Sequence, residues 1–291
     1  MAFAILTDAA SNITIRLAQD EGITVIPFPY FCDGKSCGCV DFDTFDAQDY
    51  YGKMKAGMTV TTSQINPKQY EEYMEPILRG GTDLLFAGIS SGVSGSFASA
   101  QIAAEELMER YPERKIRLVD TLGASLGEGL LVLRAAKCRA NGMSLDETAD
   151  RLEKLKKSIY QVFMVDDLNH LRRTGRLSNL SAVVGTVLGI RPLLKGDEHG
   201  KIVAIAKHRG KKQIVKALVD KYATLVKNTQ LVGISHCGCP EDAELLCQML
   251  NALPNAPKEI LLVKHEPATG SHLGPGSLAL YFEGDENVRL Q

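Results

Sequence analysis

The chain has 291 residues, of which 45% are hydrophobic and 23% are charged. This length exceeds the usual size of one hydrophobic core and favours two globular domains. The 33 basic and 35 acidic residues nearly cancel, which argues against non-specific nucleic-acid binding through a general basic field.

Residues 1–158 alternate short apolar runs with helical patterns, which is typical of a parallel α/β sheet, here a Rossmann-like N-terminal domain. The stretch Ile23–Phe31 is broken by two prolines and predicts an edge strand with a hairpin. Ser11-Asn12 is predicted to cap the first helix, and Ser144–Glu147 forms a capping box for the last. The predicted strands are Phe3–Leu6, Asp83–Ile89 and Ile116–Val119.

Residues 159–291 mix strands and helices in a less regular order, so we predict an α+β second domain. The predicted strands are Gln161–Asp166, Ile190–Leu194, Lys201–Ala206, Leu231–Ser235, Glu259–His265 and Leu278–Phe282, and the predicted helices lie near 180–188, 211–227 and 241–252.

The loop Gly88–Ser96 is the strongest local indication of a binding site. It follows a buried strand and opens a helix, whose first N–H groups and partial positive charge favour an anion. A tight turn with solvated serines is the alternative. Because parallel sheets bind ligands at the carboxyl ends of their strands, we expect Thr7-Asp8, the polar loop Thr59–Gln64 and Thr121–Gly127 to converge on the same rim.

Two enzyme hypotheses use this same loop. Gly88-Ile89-Ser90-Ser91-Gly92 matches the nucleophile elbow of serine hydrolases. Only about two strands precede Ser90, and no later motif offers a recognisable Asp and His pair, which disfavours a hydrolase. The other hypothesis is a sugar-phosphate enzyme in which Ser90–Ser96 cradles the phosphate.

The seven cysteines are an odd number and favour reduced thiols in the cytoplasm over a disulfide framework. Their spacings differ from those of zinc ribbons, so we interpret them as small thiols and expect no metal site. The first residues show neither a basic n-region nor a cleavage site, so we expect no signal sequence, and no apolar run approaches the roughly 18 residues of a membrane span. The clustered sets are Cys32, Cys37 and Cys39, and His236, Cys237 and Cys239.

Six motifs together resemble the DegV family, in the same order and across nearly the whole chain. One position departs from the family pattern, because a serine commonly follows Thr-Asp and this chain has Ala9. The motifs are Thr7-Asp8, Thr62-Ser63-Gln64, Ser90–Ser96, Val165–Leu168 with Gly175–Ser178, Gly189–Leu194 and His272–Gly276.

The resemblance implies a two-domain carrier, without catalytic residues or cofactors, that holds a long-chain fatty acid such as palmitate in an apolar tunnel. It places the carboxylate at the domain interface, bound by Thr62 and Ser94, with Ser63 and His272 nearby. Some family members present the fatty acid to an ATP-dependent fatty acid kinase. By that analogy, the basic residues predicted to dock such a partner are Arg173, Arg176 and Arg209.

Overall fold

The computed structural model describes residues 3–37, 44–177 and 189–291. These residues form two compact units. The first contains the described residues up to 45 together with 61–156, and the second contains 46–60 together with the described residues from 157 to 291. The boundary predicted at residue 158 lies close to residue 156, where the first unit ends. The prediction assigned residues 46–60 to the first domain, whereas they belong to the second unit.

The elements are numbered in chain order. Up to residue 156 they are β1 (Phe3–Asp8), α1 (Ile15–Asp20), β2 (Ile23–Ile26), β3 (Tyr30–Cys32), β4 (Lys35–Cys37), α2 (Ala47–Lys55), β5 (Val60–Thr62), α3 (Pro67–Arg79), β6 (Asp83–Gly88), α4 (Ser96–Arg110), β7 (Ile116–Asp120), α5 (Leu126–Ala140) and α6 (Leu145–Leu155). Beyond it they are β8 (Ile159–Met164), α7 (Asn169–Arg173), β9 (Ile190–Gly196), β10 (Ile202–Arg209), α8 (Lys211–Leu225), β11 (Asn228–His236), α9 (Pro240–Asn251), β12 (Ile260–Lys264), α10 (Pro267–Leu273) and β13 (Leu278–Glu283).

The first unit is built on a parallel sheet with strand order β2-β1-β6-β7. Strand β6 is almost wholly buried, which explains its unbroken apolar sequence, because a strand covered on both faces needs no polar alternation. The predicted parallel α/β domain is confirmed. The capping box of α6, in which Ser144 and Glu147 exchange hydrogen bonds, is also as predicted.

Two local predictions in the first unit are wrong. Asn12 adopts a left-handed conformation that closes a short 3-10 helix, so Thr14 caps α1 instead. The segment carrying Thr62 is a strand rather than a loop, because β5 pairs beside the hairpin β3–β4 in a separate three-stranded sheet. The predicted hairpin is present and turns at Asp33-Gly34, with both residues at positive φ.

The second unit contains a mixed six-stranded sheet with strand order β10-β9-β8-β13-β11-β12. One face packs against α8 and α9 around a core that includes Tyr160, Leu218 and Phe282. The predicted α+β domain is therefore confirmed. The helix predicted near 180–188 lies outside the described residues.

Two tyrosines of helix α2 form hydrogen bonds with the rest of the second unit. The Tyr51 hydroxyl donates to the carbonyl of His265 at 2.8 Å, and the Tyr50 hydroxyl donates to the carbonyl of Pro267 at 3.0 Å. Gly270 on α10 lies so close to Tyr51 that a Cβ atom there would overlap the tyrosine Oη. The absence of a side chain at this position therefore allows the contact.

We expect Gly270→Ala to destabilise the protein by about 1–3 kcal/mol, because the added methyl group overpacks a buried contact. Tyr51→Phe in the same chain should recover part of that loss by removing the overlapping oxygen. Urea denaturation measures both effects. Gly52→Ala on α2 is the control: it meets no neighbouring atom and should be neutral or slightly stabilising. Equal stability of Gly270→Ala and wild type would contradict this packing argument.

Candidate functional site

The carboxyl ends of three parallel strands are joined by side-chain hydrogen bonds. The Asp8 carboxylate, at the end of β1, accepts the N–H groups of Ala10 at 3.0 Å and Ile89 at 3.1 Å. After β7, the Thr121 hydroxyl donates to the carbonyl of Gly88 at 2.8 Å. These bonds bring the ends of β1, β6 and β7 together, as the sequence predicted.

The segment that follows Thr62 is bound to the start of α4. The N–H group of Ile65 donates to Ser96 Oγ at 3.2 Å, and Gln64 Nε2 donates to Ser99 Oγ at 3.0 Å. Both serines are buried. A Cβ atom on Gly95 would overlap the Gln64 amide oxygen, so this close approach depends on glycine.

Ser94 presents its hydroxyl at the N-terminus of the same helix. Its oxygen lies 3.0 Å from Ser96 Oγ and accepts the N–H group of Ser96 at 3.2 Å. Gly95 provides no capping side chain to this 15-residue helix. The first turn of α4 therefore offers a hydroxyl, backbone donors and a partial positive charge, which together suit an anion.

Thr62 and Ser63 occupy the end of β5 and the position after it. Thr62 is half-buried, whereas Ser63 is exposed and its N–H group donates to the carbonyl of Pro29 at 3.2 Å. Sequence reasoning chose Ser63 as a neighbour of the head group but missed Gln64 and Ser99, whose side chains connect the two segments. The available signal was the Gln of the Thr-Ser-Gln motif, because its long side chain ends in an amide that can donate a hydrogen bond to a neighbouring segment.

Behind the rim lies a fully buried polar layer. The Thr7 hydroxyl donates to Glu128 Oε1 at 2.8 Å, so this threonine faces the interior. Burial raises the pKa of Tyr70, and the nearby Asp8 and Glu128 raise it further, so the phenol stays neutral. Sequence analysis did not single out Glu128, which lies in the first turn of helix α5.

His272 and two of the predicted docking arginines belong to α7, α10 and the turn after α7. Burial lowers the pKa of His272 to about 4, with Arg176 and His170 contributing, so its imidazole is neutral near pH 7. Arg173 Nη2 lies 3.2 Å from His170 Nδ1, and Arg176 donates to the carbonyl of Thr174. Arg209 is exposed at the end of β10.

A cavity of about 800 Å³ lies within the second unit, bordered by α2, α7 and the first turns of α8 and α9. Arg173 lines it, together with Lys211 and Asp166. Lys211 pairs with Asp242 and Asp166 with Arg191, each at 2.6 Å. Two of the charged residues that line the cavity are therefore neutralised by ion pairs.

The cysteines after β11 are buried thiols. Burial raises the pKa of Cys237 and raises that of Cys239 to about 12, so both remain protonated. Within residues 3–37, 44–177 and 189–291, no three His, Cys, Asp or Glu side chains gather as metal ligands. Cys39 lies outside these residues, and the expected absence of metals and cofactors stays a prediction.

A family model described as uncharacterised DegV proteins matches residues 2–285. The chain belongs to the DegV family. A DegV domain-containing protein from Clostridium perfringens is 35% identical over 292 residues, covering 97% of this chain and 98% of the relative. Another from Streptococcus pyogenes serotype M3 is 36% identical over 287 residues, covering 99% and 100%.

Two solved DegV structures share the fold. A DegV family protein from Thermus thermophilus, described by its fatty acid binding, is 27% identical with a TM-score of 0.87, covering 98% of this chain and all of that one. A fatty acid binding DegV family protein from Streptococcus agalactiae is 28% identical with a TM-score of 0.84, covering 98% and 99%. The predicted family is confirmed.

The DegV rim is a poor site for a serine nucleophile. Ser90 is 1% exposed, and its hydroxyl oxygen accepts the N–H group of Gly92 at 3.0 Å. All six histidines of the chain occur at position 170 or later. The first unit therefore contains no imidazole to activate Ser90.

None of the helices in the described part of this DegV protein is both long and apolar enough to cross a bilayer.

Glu266 is a buried acid that caps α10. Its carboxylate accepts the N–H groups of Ala268, at 2.7 Å, and Thr269. Burial raises its pKa from 4.5 to about 7, although these hydrogen bonds act in the opposite direction. The folded protein therefore holds this proton more tightly than the unfolded chain does.

We expect wild type to lose about 3 kcal/mol of stability relative to Glu266→Gln as the pH rises from 4.5 to about 7. The contribution of Glu266 is fully present below pH 4.5, where both states are protonated, and disappears as the folded carboxyl ionises. Urea denaturation of both proteins between pH 4.5 and 8 measures the difference, and the comparison cancels the opposite effects of buried histidines. Glu241→Gln, at an exposed position, is the control. Parallel curves for wild type and Glu266→Gln would show that the folded pKa is ordinary.

We expect no labelling of Ser90 by a fluorophosphonate probe, because its hydroxyl is buried and its unit has no histidine. Labelling is read by mass spectrometry of tryptic peptides, with a known serine hydrolase as the positive control. Modification that disappears in Ser90→Ala would support the hydrolase hypothesis instead.

Proposed function

We propose that this DegV protein binds one long-chain fatty acid, such as palmitate, and has no catalytic activity of its own. Thr62 and Ser94 hold the carboxylate, and an apolar tunnel shields the acyl chain. The main support is the pair of hydrogen bonds from Gln64 and Ile65 to α4, which join the two hydroxyl-bearing segments at a helix N-terminus. Two DegV structures, 27% and 28% identical, are described as fatty acid binding.

The free energies expected for the acyl chain and for the carboxylate favour this assignment. A sixteen-carbon chain has roughly 12 kcal/mol of gross transfer free energy, at about 0.8 kcal/mol for each buried methylene, before the entropy cost of binding. A hydrogen bond to a charged acceptor adds only about 1.5–3 kcal/mol. The tail therefore supplies most of the affinity, while Thr62, Ser94 and the start of α4 orient the ligand and select a carboxylate.

The same proposal extends to delivery. In the cytoplasm, the protein would present the bound fatty acid to an ATP-dependent fatty acid kinase, with Arg173, Arg176 and Arg209 docking that partner. The neutral imidazole of His272 would act near the head group as a hydrogen-bond donor rather than as a charge. This role needs no cofactor other than the fatty acid itself.

We expect Thr62→Ala and Ser94→Ala each to weaken palmitate binding by roughly 10- to 100-fold, which corresponds to one lost hydrogen bond to a carboxylate. Titration calorimetry on delipidated protein measures the affinity. Mass spectrometry after denaturation identifies the fatty acid carried from the expression host.

Ser91→Ala is the matched control, because Ser91 is an exposed serine of the same loop whose backbone N–H, rather than its hydroxyl, contacts Asp120. It should bind palmitate like wild type. If wild type neither carries nor binds a fatty acid, the proposed function is wrong. If Thr62→Ala and Ser94→Ala both bind normally, the carboxylate is held elsewhere.

A further inference from the structure

Ser96 contacts both halves of the candidate site. It is fully buried at the first position of α4. Its hydroxyl oxygen accepts the N–H group of Ile65 at 3.2 Å, which fixes the segment after Thr62. The same oxygen lies 3.0 Å from Ser94 Oγ, and the Ser96 N–H group donates to Ser94 Oγ at 3.2 Å.

Ser94 and Ser96 can make only a limited number of hydrogen bonds through their hydroxyls. A serine hydroxyl has one hydrogen and two lone pairs. In this arrangement Ser94 donates its hydrogen to Ser96 Oγ, and Ile65 donates to the same oxygen. Both lone pairs of Ser96 are then occupied, while its own hydrogen remains for the neighbouring Tyr70 phenol, whose pKa is raised by burial and lowered in part by this hydroxyl.

A carboxylate changes this pattern because it only accepts hydrogen bonds. To bind it, Ser94 must turn its single hydrogen toward the ligand. The close contact with Ser96 then survives only if its direction reverses, so that Ser96 donates and Ser94 accepts. An alanine at position 96 cannot make this exchange.

We propose that Ser96 is a positioning residue of the head-group site, and that it aims the Ser94 hydroxyl at the carboxylate by reversing their shared hydrogen bond. This inference rests on the proposed function. It assigns Ser96 two roles at once, since its oxygen also keeps the segment carrying Thr62 in place.

Ser99 provides a control within the same helix. It lies one turn further along α4, is 2% exposed and holds the same segment, but it does so by a hydrogen bond to Gln64 and not to Ser94. If Ser96 serves only to anchor that segment, Ser96→Ala and Ser99→Ala should have similar effects. If Ser96 orients Ser94, they should differ at the carboxylate.

The test uses the full chain, delipidated and loaded with palmitate labelled with ¹³C at the carboxyl carbon. We expect Ser96→Ala to weaken binding by roughly 3- to 10-fold, the value of one ordinary hydrogen bond. The bound carboxyl, having lost an oriented donor, should also titrate at higher pH than in wild type, as followed by its ¹³C chemical shift. Ser99→Ala should leave this titration unchanged.

Ser96→Cys keeps the side-chain volume and replaces the hydroxyl by a weak donor, so it should shift the titration in the same direction. Ser96→Cys also provides the test of the inference if Ser96→Ala does not fold. The inference is overturned if wild type binds palmitate but Ser96→Ala and Ser96→Cys titrate like wild type or like Ser99→Ala. Failure of wild type to bind palmitate would instead refute the proposed function.

Discussion

The Asp8 side chain accepts the N–H groups of Ala10, two residues further along the chain, and of Ile89, 81 residues further along. A buried polar side chain is tolerated only when its hydrogen bonds are satisfied, and an aspartate at the end of a strand can satisfy backbone donors that the sheet leaves over. The exits of β1 and β6 are thereby fixed against each other. The positions of the Ser94 loop and the start of α4 follow from that constraint.

The hydroxyls that we propose to face the ligand are therefore held by hydrogen bonds to buried neighbouring side chains. Ser94 rests on Ser96, Ser96 holds the segment after Thr62, and Gln64 reaches the next turn of the same helix. Hydroxyls placed in advance lose little further freedom when a carboxylate arrives, which improves selectivity without adding contacts. Such positioned hydroxyls fit the proposed fatty-acid carrier, in which most of the affinity would come from the acyl chain.

The second unit keeps most of its buried titratable groups uncharged. Burial lowers the pKa of His265 to about 3 and raises that of Cys239 to about 12, so one stays a neutral imidazole and the other a thiol. Glu266 is intermediate, with a pKa of about 7, because two backbone donors partly offset its desolvation. Such groups act mainly as hydrogen-bonding parts of the packing.

The sequence predicted the elements with strong local signals. Buried strands such as β6 and the capping box of α6 are determined by residues close together in the chain, and these agree with the structure. Tertiary pairing decided the rest. Thr62 lies in a strand because β5 pairs with the edge of the β3–β4 hairpin. The sequence around Thr62 contains no local pattern that predicts this pairing.

The site shows the same limit. Thr62 and Ser94 could be chosen by family resemblance, whereas the contacts of Ser96 with both segments are visible only from interatomic distances. Glu128 is similar, since its role as the acceptor of the Thr7 hydroxyl becomes visible only when the two residues are found side by side. Pairwise contacts between distant residues carry information that composition and spacing do not.

The grouping of residues 46–60 with the second unit bears on how the molecule can be dissected. A fragment cut at residue 158 would leave its C-terminal half without α2, and the carbonyls of His265 and Pro267 would lose the tyrosine hydroxyls that now reach them. The second unit is thus discontinuous in the gene although compact in space. Recombination or truncation at the apparent linker would separate a helix from the core it completes.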